Sequence, residues 1–239
     1  MSSITRWIDE KLYPNYARNW DDILFRERII SHLSKGSPKY VLDLGAGAGI
    51  LSEMNFKGIA HRICGIDPDP RVIDNPHLDE GIVGYGELIP YCDGEFDVVF
   101  ADNVFEHLSN PEKVFGEVFR VLRQEGVLLA KTPNKLHYMP TIARITPHRF
   151  HQWVNRLRGR DPEDTFPTRY LANTPEDVRR IAAKMGFVVE VIDLIEGRPE
   201  YLRFSVLPYL VGWLYERLVN VVPIFSRYRI LLVVELRKP

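Results

Sequence analysis

The chain has 239 residues, of which 45% are hydrophobic, and its formal net charge at pH 7 is −1. This size suffices for one domain with a full core, and the near-zero charge excludes the strongly basic surface of most nucleic-acid-binding proteins. Two cysteines cannot form a disulfide framework, and we find neither a signal-peptide pattern nor an 18-residue apolar stretch, so we expect a cytoplasmic protein with free thiols and no transmembrane segment.

The first predicted elements are helices in residues 1–39, an amphipathic segment that ends at a Gly-Ser-Pro sequence. Residues 40–135 then alternate predicted strands with predicted helices, which favours a parallel sheet covered on both faces. We expect a single domain in which residues 1–39 form a helical cap and residues 40–135 form a ligand-binding core.

A glycine-rich turn follows the first predicted strand. Residues 41–44 are an apolar run that carries Asp43, and glycines follow at positions 45, 47 and 49. The run predicts a buried strand, and the glycines predict a tight turn that lets backbone approach a ligand. We expect a helix after the turn, with free N–H groups that favour an anion. A dinucleotide-binding fingerprint would place its third glycine at position 50. This position is Ile50, so the spacing of the glycines argues against a dinucleotide cofactor. A turn without a ligand is the alternative.

The second predicted strand, residues 63–66, ends at Asp67 about 20 residues beyond the glycines, the separation that places an acid on a ribose in βαβ nucleotide sites. A carboxylate can accept from both the 2′- and the 3′-hydroxyl. Pro68 stops the strand, so Asp67 lies at the carboxyl end, where open α/β sheets bind ligands. The alternative is a turn residue without a ligand.

A further buried apolar run, residues 96–101, leads into polar residues that include Asp102 and the pair Glu106-His107. Asn110 and Pro111 predict the start of a helix, because Asn caps helices and Pro suits the first turn. We expect Gly126 to close this helix before a strand at residues 127–130.

These motifs, taken in order over residues 40–135, resemble the class I methyltransferases that use S-adenosylmethionine. Residues 96–134 are similar to the small-molecule, type 11 group that includes quinone-biosynthesis enzymes. The resemblance implies a Rossmann-like, doubly wound α/β fold with a mostly parallel seven-stranded sheet and an antiparallel last strand. It implies S-adenosylmethionine as cofactor, S-adenosylhomocysteine as product, and cofactor contacts at Asp43, Gly45, Ala46, Gly47, Asp67, Pro68, Gly86, Glu87, Asp102, Asn103 and His107.

Tyr85 stands where this family often has an acid that receives the adenine amino group. Three alternatives stay open: Glu87 takes the amino group, a backbone carbonyl takes it, or Tyr85 stacks on the ring. Family members often cover the cofactor with an N-terminal helix, so Arg26 is a candidate for the cofactor carboxylate. A packing helix with a solvated Arg26 is the alternative.

The remaining predicted elements are a lid-like insertion at residues 136–172, a helix from Thr174 to Gly186, and strands at residues 187–192 and 230–236. Residues 173–239 would thus complete the sheet. In the insertion, His148 and His151 share a helix face if it is helical, and one of them is the candidate general base. No third ligand accompanies them, so we expect no metal site.

A second, strongly apolar insertion covers residues 201–228. Pro208 and Pro223 bound a predicted helix of about 14 residues, too short to span a bilayer. It is a helix docked on the sheet, a homodimer contact, a wall for a hydrophobic substrate, or an interfacial membrane helix.

We expect an enzyme that moves a methyl group to a small-molecule acceptor, preferably to oxygen, by in-line displacement. The alternatives are a non-catalytic S-adenosylmethionine-binding protein of the same fold and a nicotinamide-dependent oxidoreductase. We expect no nucleic-acid partner.

Overall fold

The computed structural model describes residues 3–14, 16–17, 19–34, 36, 39–145 and 167–239. The chain divides into two compact units. The larger unit comprises Asn19–Thr132, Arg169–Asp193 and Leu232–Pro239, and the smaller one comprises Met1–Arg18, Pro133–Thr168 and Leu194–Leu231.

Seven strands form one sheet in the order β3-β2-β1-β4-β5-β7-β6. Their bounds are Tyr40–Leu44 (β1), Arg62–Asp67 (β2), Glu80–Val83 (β3), Phe96–Asp102 (β4), Leu122–Pro133 (β5), Val188–Ile195 (β6) and Leu231–Arg237 (β7). The pairs from β3 to β5 are parallel, and the last strand is antiparallel. This arrangement confirms the predicted Rossmann-like fold with its antiparallel last strand.

Six α-helices lie in the described ranges: Ser3–Leu12 (α1), Trp20–Leu33 (α2), Pro111–Val121 (α3), Tyr138–Ile145 (α4), Pro175–Met185 (α5) and Val206–Val221 (α6). The caps of α3 and α5 are those that the sequence predicts. Asn110 accepts a hydrogen bond from the Lys113 N–H, and Thr174 accepts one from the Asp177 N–H. Gly186 ends α5 in the left-handed conformation.

The prediction of a helix after the glycine turn is wrong. The chain forms only a 3-10 turn, Ser52–Met54, between β1 and β2, and another, Pro70–Asp74, between β2 and β3. Arg26 of α2 donates to the carbonyl oxygens of Glu53 and Asn55 at 2.5 and 2.7 Å, and so binds carbonyls that a helix would use internally. Alternation of strand and helix in the core therefore holds only for β4, α3 and β5.

The predicted end of α3 at Gly126 is also wrong. The helix ends at Val121, and Leu122 is already extended at the start of β5. The positive φ of 62° lies at Glu125, within the strand. The turn residues therefore bend the first part of β5 and do not cap the helix.

The core of the larger unit lies between α2 and the sheet. Phe25, Ile29 and Leu33 of α2 are buried against side chains of the central strands, among them Val41 and Leu129. Each such buried side chain contributes about 1.5–3 kcal/mol. This packing fixes the position of α2, and therefore also the positions of Arg26 and of the two acids in its first turn, Asp21 and Asp22.

Asp9 of α1 accepts hydrogen bonds from three side chains of the smaller unit. Its carboxylate accepts hydrogen bonds from Arg198 at 3.0 Å, Arg203 at 2.5 Å and the Tyr209 hydroxyl at 3.0 Å. Because Arg198 and Tyr209 are buried, these bonds to a charged group fasten α1 to α6.

Helix α6 is longer than the predicted helix of about 14 residues. It has 16 residues and includes Pro208 in its first turn, where the missing N–H leaves no intrahelical bond unmade. It ends before Pro223, as predicted. Of the helices in the described ranges, none combines the length and the apolar character needed to cross a bilayer.

Candidate functional site

Three N–H groups of the glycine turn donate hydrogen bonds within the protein. Those of Gly45 and Ala46 donate to the Ile66 carbonyl oxygen at 2.8 and 3.4 Å, and that of Gly47 donates to Asp67 Oδ2 at 2.9 Å. No α-helix follows the turn, so the helix N-terminus that was expected to favour an anion is not formed, and these three donors already have acceptors. Gly45 and Gly47 have positive φ values of 83° and 51°. The turn consequently depends on glycine for its backbone conformation.

Asn75 holds the same turn from the other side, and the sequence analysis missed it. Its buried amide donates to the carbonyl oxygens of Ala46 and Gly47 at 3.0 and 3.1 Å. A Cβ at Gly49 would lie 2.3 Å from Asn75 Oδ1, so Gly49 is required for this close approach. Only the Asn-Pro dipeptide at 75–76, a turn signal, marks the residue in the sequence.

Asp67 ends β2, as predicted, and its carboxylate is nearly buried. Besides the bond from Gly47, its Oδ1 accepts a hydrogen bond from the Asp69 N–H at 2.7 Å. Burial raises the pKa of this carboxyl, and the two backbone N–H bonds oppose that effect. A carboxylate offers about four acceptor positions, so about two remain for ligand hydroxyls. The contact with both ribose hydroxyls stays a prediction.

Asp43 lies on β1 between Gly65 of β2 and Phe100 of β4. Burial raises the pKa of its carboxyl well above the usual value, and the negative charges of Asp102 and Asp67 raise it further. Three adjacent parallel strands thus bring three carboxyls to one edge of the sheet. Because a cation would relieve their repulsion, this donor set fits the positively charged sulfonium and ammonium groups of S-adenosylmethionine.

Asp102 ends β4, and burial raises the pKa of its carboxyl to about 6. Its Oδ1 accepts a hydrogen bond from the Asn103 amide at 2.8 Å. Its Oδ2 is buried and has no hydrogen-bond partner among the described residues. An unpartnered buried carboxylate oxygen costs free energy, which a hydrogen-bond donor of a bound ligand would recover.

Lys131 lies beside Asp102 on β5 and is fully buried, with 0% of its surface exposed. Its ammonium is 3.1 Å from Asp102 Oδ1 and 3.2 Å from Asp21 Oδ2, and it also bonds Asp22. The neighbouring carboxylates raise the pKa of Lys131 although burial lowers it. Lys131 therefore ties the first turn of α2 to the end of β4. The sequence analysis missed it within the apolar strand.

The Glu106-His107 pair follows β4, and Glu106 is buried. Its Oε2 accepts a hydrogen bond from the Thr132 hydroxyl at 2.7 Å, and that hydroxyl accepts one from the Asn173 amide at 2.7 Å. His107 Nε2 is 4.0 Å from Glu106 Oε1. Glu106 thus fastens the loop after β4 to β5 and to the segment before α5. The cofactor contact of His107 stays a prediction.

The segment after β3 carries Tyr85, which is 68% exposed, and the half-buried Glu87. A Cβ at Gly86 would lie 3.1 Å from a Leu44 methyl carbon and 3.2 Å from one of Val114. Packing alone therefore favours glycine at position 86. Contacts of Gly86, Glu87 and Tyr85 with adenine stay predictions.

Two further candidates have structural partners, and a third is exposed. Arg26 binds backbone carbonyls after the glycine turn, and its guanidinium lies 4.9 Å from the centre of the Phe56 ring. Asn103 has a positive φ of 55°, and its N–H donates to the Lys131 carbonyl oxygen. Pro68 is exposed directly after Asp67. Their cofactor contacts also stay predictions.

His148 and His151 lie outside the described residues. A histidine that the sequence analysis did not single out, His137, lies in the smaller unit and is 1% exposed. Its Nδ1 accepts a hydrogen bond from the Met139 N–H, and its Nε2 is 3.5 Å from Glu196 Oε2. Burial lowers the pKa of His137 to about 3 and raises that of Glu196 to about 8. Both groups are therefore mostly uncharged at neutral pH.

Comparison with known proteins finds similar methyltransferases. A family model described as a methyltransferase domain matches residues 42–130. A demethylmenaquinone methyltransferase of Thermotoga maritima is 26% identical over 80% of this chain and 85% of its own length. A ubiquinone biosynthesis O-methyltransferase of Rhodopseudomonas palustris is 28% identical over 68% of this chain and 64% of its own length. The chain spans only 52–62% of the length of several mycobacterial relatives.

Solved structures share the fold. In a Haloferax volcanii complex with the Trm112 methyltransferase activator, the matching chain has a TM-score of 0.58 and 16% identity, over 92% of this chain and 90% of that one. A geranyl diphosphate C-methyltransferase of Streptomyces coelicolor, solved with S-adenosylhomocysteine, has a TM-score of 0.54 and 15% identity, over 90% and 78% of the two chains.

Proposed function

The chain belongs to the class I S-adenosylmethionine-dependent methyltransferases, and we propose that it transfers the methyl group to an oxygen atom of a small, hydrophobic acceptor. The observation that carries the cofactor part is the edge formed by Asp43, Asp67 and Asp102 beside the glycine turn. Such an edge suits a cationic nucleoside. It suits the pyrophosphate of a nicotinamide dinucleotide less well, because no α-helix begins at the turn and neighbouring carboxylates repel an anion.

Each acid has a separate role in this proposal. Asp67 binds the ribose hydroxyls with the acceptor positions that Gly47 and Asp69 leave open. Asp102, with its unpartnered Oδ2, binds the ammonium group of the methionine end. A cation there would favour the ionised form of Asp43 on the neighbouring strand. Lys131 positions Asp102 and takes no part in binding.

When bound, S-adenosylmethionine supplies a methyl group on a positively charged sulfur. The protein then contributes mainly alignment, because in-line displacement needs the nucleophile, the methyl carbon and the sulfur in a row. A hydroxyl acceptor needs a base as well. We assign that role to His148 or His151, since imidazole titrates near neutral pH.

The named relatives support the acceptor part. One is a ubiquinone biosynthesis O-methyltransferase and another a demethylmenaquinone methyltransferase, so quinone-like molecules are the acceptors to test first. We also propose that the two compact units belong to one methyltransferase domain.

Native mass spectrometry of the purified protein tests the cofactor part, with retained S-adenosylmethionine or S-adenosylhomocysteine as the expected result. Release of S-adenosylhomocysteine is then measured with matched phenol, catechol, amine and thiol acceptors. Turnover with only the amine or the thiol would refute the oxygen proposal. Cofactor binding without turnover of any acceptor class would favour a binding protein, and preferential binding of a nicotinamide dinucleotide would refute the proposal as a whole.

A further inference from the structure

Helix α6 turns its apolar side outward. Leu207, Leu210, Val211, Leu214, Leu218 and Val221 are all exposed, Leu214 by 63%. At 100° per residue these six positions fall within about 100° of the helix circumference, so they form one face. We call it the outer face of α6.

The opposite face of α6 is the buried one, and its contacts are partly polar. Tyr209 bonds the Asp9 carboxylate, and the buried carboxylate of Glu216 accepts hydrogen bonds from Tyr13 at 2.9 Å and Asn220 at 2.7 Å. Gly212 lies so close to Pro199 that a Cβ would be 2.6 Å from it. These contacts fix which side of α6 faces the protein, so the outer face is not a core face that has merely rotated outward.

The apolar surface continues beyond the helix. The 3-10 turn Pro223–Tyr228 exposes Ile224, Phe225 and Tyr228, and Phe204 is exposed just before the helix begins. Contiguous exposed apolar surface of this kind marks an interaction site, since scattered single residues would be the norm.

The charges around the outer face are mostly positive. Residues 201–231 contain four arginines and one acid, Glu216. Arg203 pairs with Asp9 and Glu200, and Arg229 donates to backbone carbonyls, so the arginines beside the outer face are Arg217 and Arg227. Glu216 is on the buried side, and its Oε2 lies 3.4 Å from Arg217 Nε. Arg217 is itself half-exposed at the edge of the outer face, with its guanidinium 5.9 Å from the centre of the Trp213 ring. Arg227 lies 5.5 Å from the centre of the Tyr228 ring. Arginine and aromatic residues that flank an apolar helix face are typical of helices that lie in a membrane interface.

From this geometry we propose that the outer face of α6, with the turn Pro223–Tyr228, docks the protein on the surface of an anionic lipid bilayer. The apolar side chains enter the boundary between headgroups and acyl chains, and Arg217 and Arg227 face lipid phosphates. The site attaches the protein to the membrane without spanning it. The charge pattern favours a bilayer over a second copy of this chain, because two copies would bring like charges together.

The test is co-sedimentation of the full chain with vesicles of phosphatidylcholine, alone or mixed with phosphatidylglycerol. We expect binding to the mixed vesicles that weakens at high salt. Leu214→Asp should weaken it at least about tenfold, because a charged group must enter the apolar layer. Arg217→Gln should weaken it about fivefold on the mixed vesicles only.

Ile73→Asp is the matched control, since Ile73 is equally exposed but lies in the larger unit, and it should bind as the parent does. Three results would overturn the proposal: no binding to either vesicle, equal binding by the parent and Leu214→Asp, or a dimer in light scattering that Leu214→Asp dissociates. Calorimetry with S-adenosylhomocysteine in the absence of lipid reports the methyltransferase proposal separately, and we expect Leu214→Asp to leave that affinity unchanged.

Discussion

The Asp67 carboxylate accepts a hydrogen bond from the Gly47 N–H at 2.9 Å, which joins the end of β2 to the turn after β1. The same carboxylate accepts one from the Asp69 N–H. One side chain therefore shapes the turn and presents acceptors beside it. Substituting it affects both the ligand and the loop, and these effects need separate measurements.

Asp67→Asn should weaken binding of S-adenosylhomocysteine by about 2–4 kcal/mol, because bonds from hydroxyls to a charged acceptor are lost. It should also lower the free energy of unfolding by about 1 kcal/mol, since one backbone N–H loses its charged acceptor. Calorimetry and thermal unfolding measure the two effects. Asp69→Asn is the control, because its carboxylate bonds Arg71 and not the turn. Unchanged affinity in a folded Asp67→Asn protein would remove this role.

Gly47 and Gly58 provide a matched pair for testing the turn. Both have positive φ, 51° and 80°, and a Cβ at either would meet nothing within 4 Å. Each Ala substitution should therefore cost a similar free energy of unfolding, about 1–2 kcal/mol, from the left-handed backbone alone. Only Gly47→Ala should also weaken S-adenosylhomocysteine binding, by tenfold or more in titration calorimetry, because only Gly47 lies in the proposed site. Equal binding by both variants would make the turn purely structural.

The sequence predicts features with local causes. The caps at Asn110 and Thr174 and the left-handed end at Gly186 lie where the residue types place them, since a cap depends on three or four neighbouring residues. Asp67 was found for a similar reason, because a strand followed by proline fixes its place at the sheet edge.

The features that the sequence analysis missed depend on contacts between distant residues. No α-helix forms after the glycine turn, where Arg26 instead binds the carbonyl oxygens of Glu53 and Asn55. These two residues lie 27 and 29 positions after Arg26 in the chain. Asn75 acts on backbone 28 and 29 positions away, and Lys131 meets acids 109 and 110 positions away. No periodicity or local spacing encodes such pairs. The visible signals were a lysine within an apolar strand and the Asn-Pro dipeptide at 75–76.

Lys131→Met should lower the free energy of unfolding by about 3 kcal/mol or more at pH 7, because it leaves Asp21, Asp22 and Asp102 without their shared cation. Burial already raises the pKa values of the Asp22 and Asp102 carboxyls, and in the variant these two values lie further above those of the unfolded chain. Their cost is therefore present at neutral pH and declines as they take up protons on acidification. Denaturant unfolding should show the deficit shrinking from pH 7 to pH 5. Lys113→Met, at an exposed lysine, should cost little, and a deficit independent of pH would contradict this account.

Because Asp102 titrates, we expect the free energy of unfolding and the affinity for S-adenosylmethionine to change with pH in opposite directions. Its pKa of about 6 in the folded protein lies above the ordinary value of 3.8. Between pH 3.8 and about pH 6, folding therefore makes Asp102 take up a proton. As pH falls from 7 to 4, the parent should gain about 1–3 kcal/mol of unfolding free energy relative to Asp102→Asn, which cannot titrate. Affinity for S-adenosylmethionine should fall over the same range, since a neutral Asp102 attracts its ammonium less. The dependence should be flatter in Asp102→Asn, and parallel affinity curves would refute the assignment.

The proposed base is tested by His148→Ala and His151→Ala, measured with the acceptor that the turnover screen identifies. Both variants should bind S-adenosylhomocysteine as the parent does, and one should lose about 10²–10⁴-fold in turnover, the usual contribution of general acid–base catalysis. That loss should shrink as pH rises towards the pKa of the acceptor hydroxyl, because an ionised oxygen needs no base. His61→Ala, at an exposed histidine next to the amino-terminal end of β2, is the control. Parent turnover in both variants would leave alignment as the whole contribution of the protein, and a loss with the same size at every pH would indicate a role in positioning the acceptor.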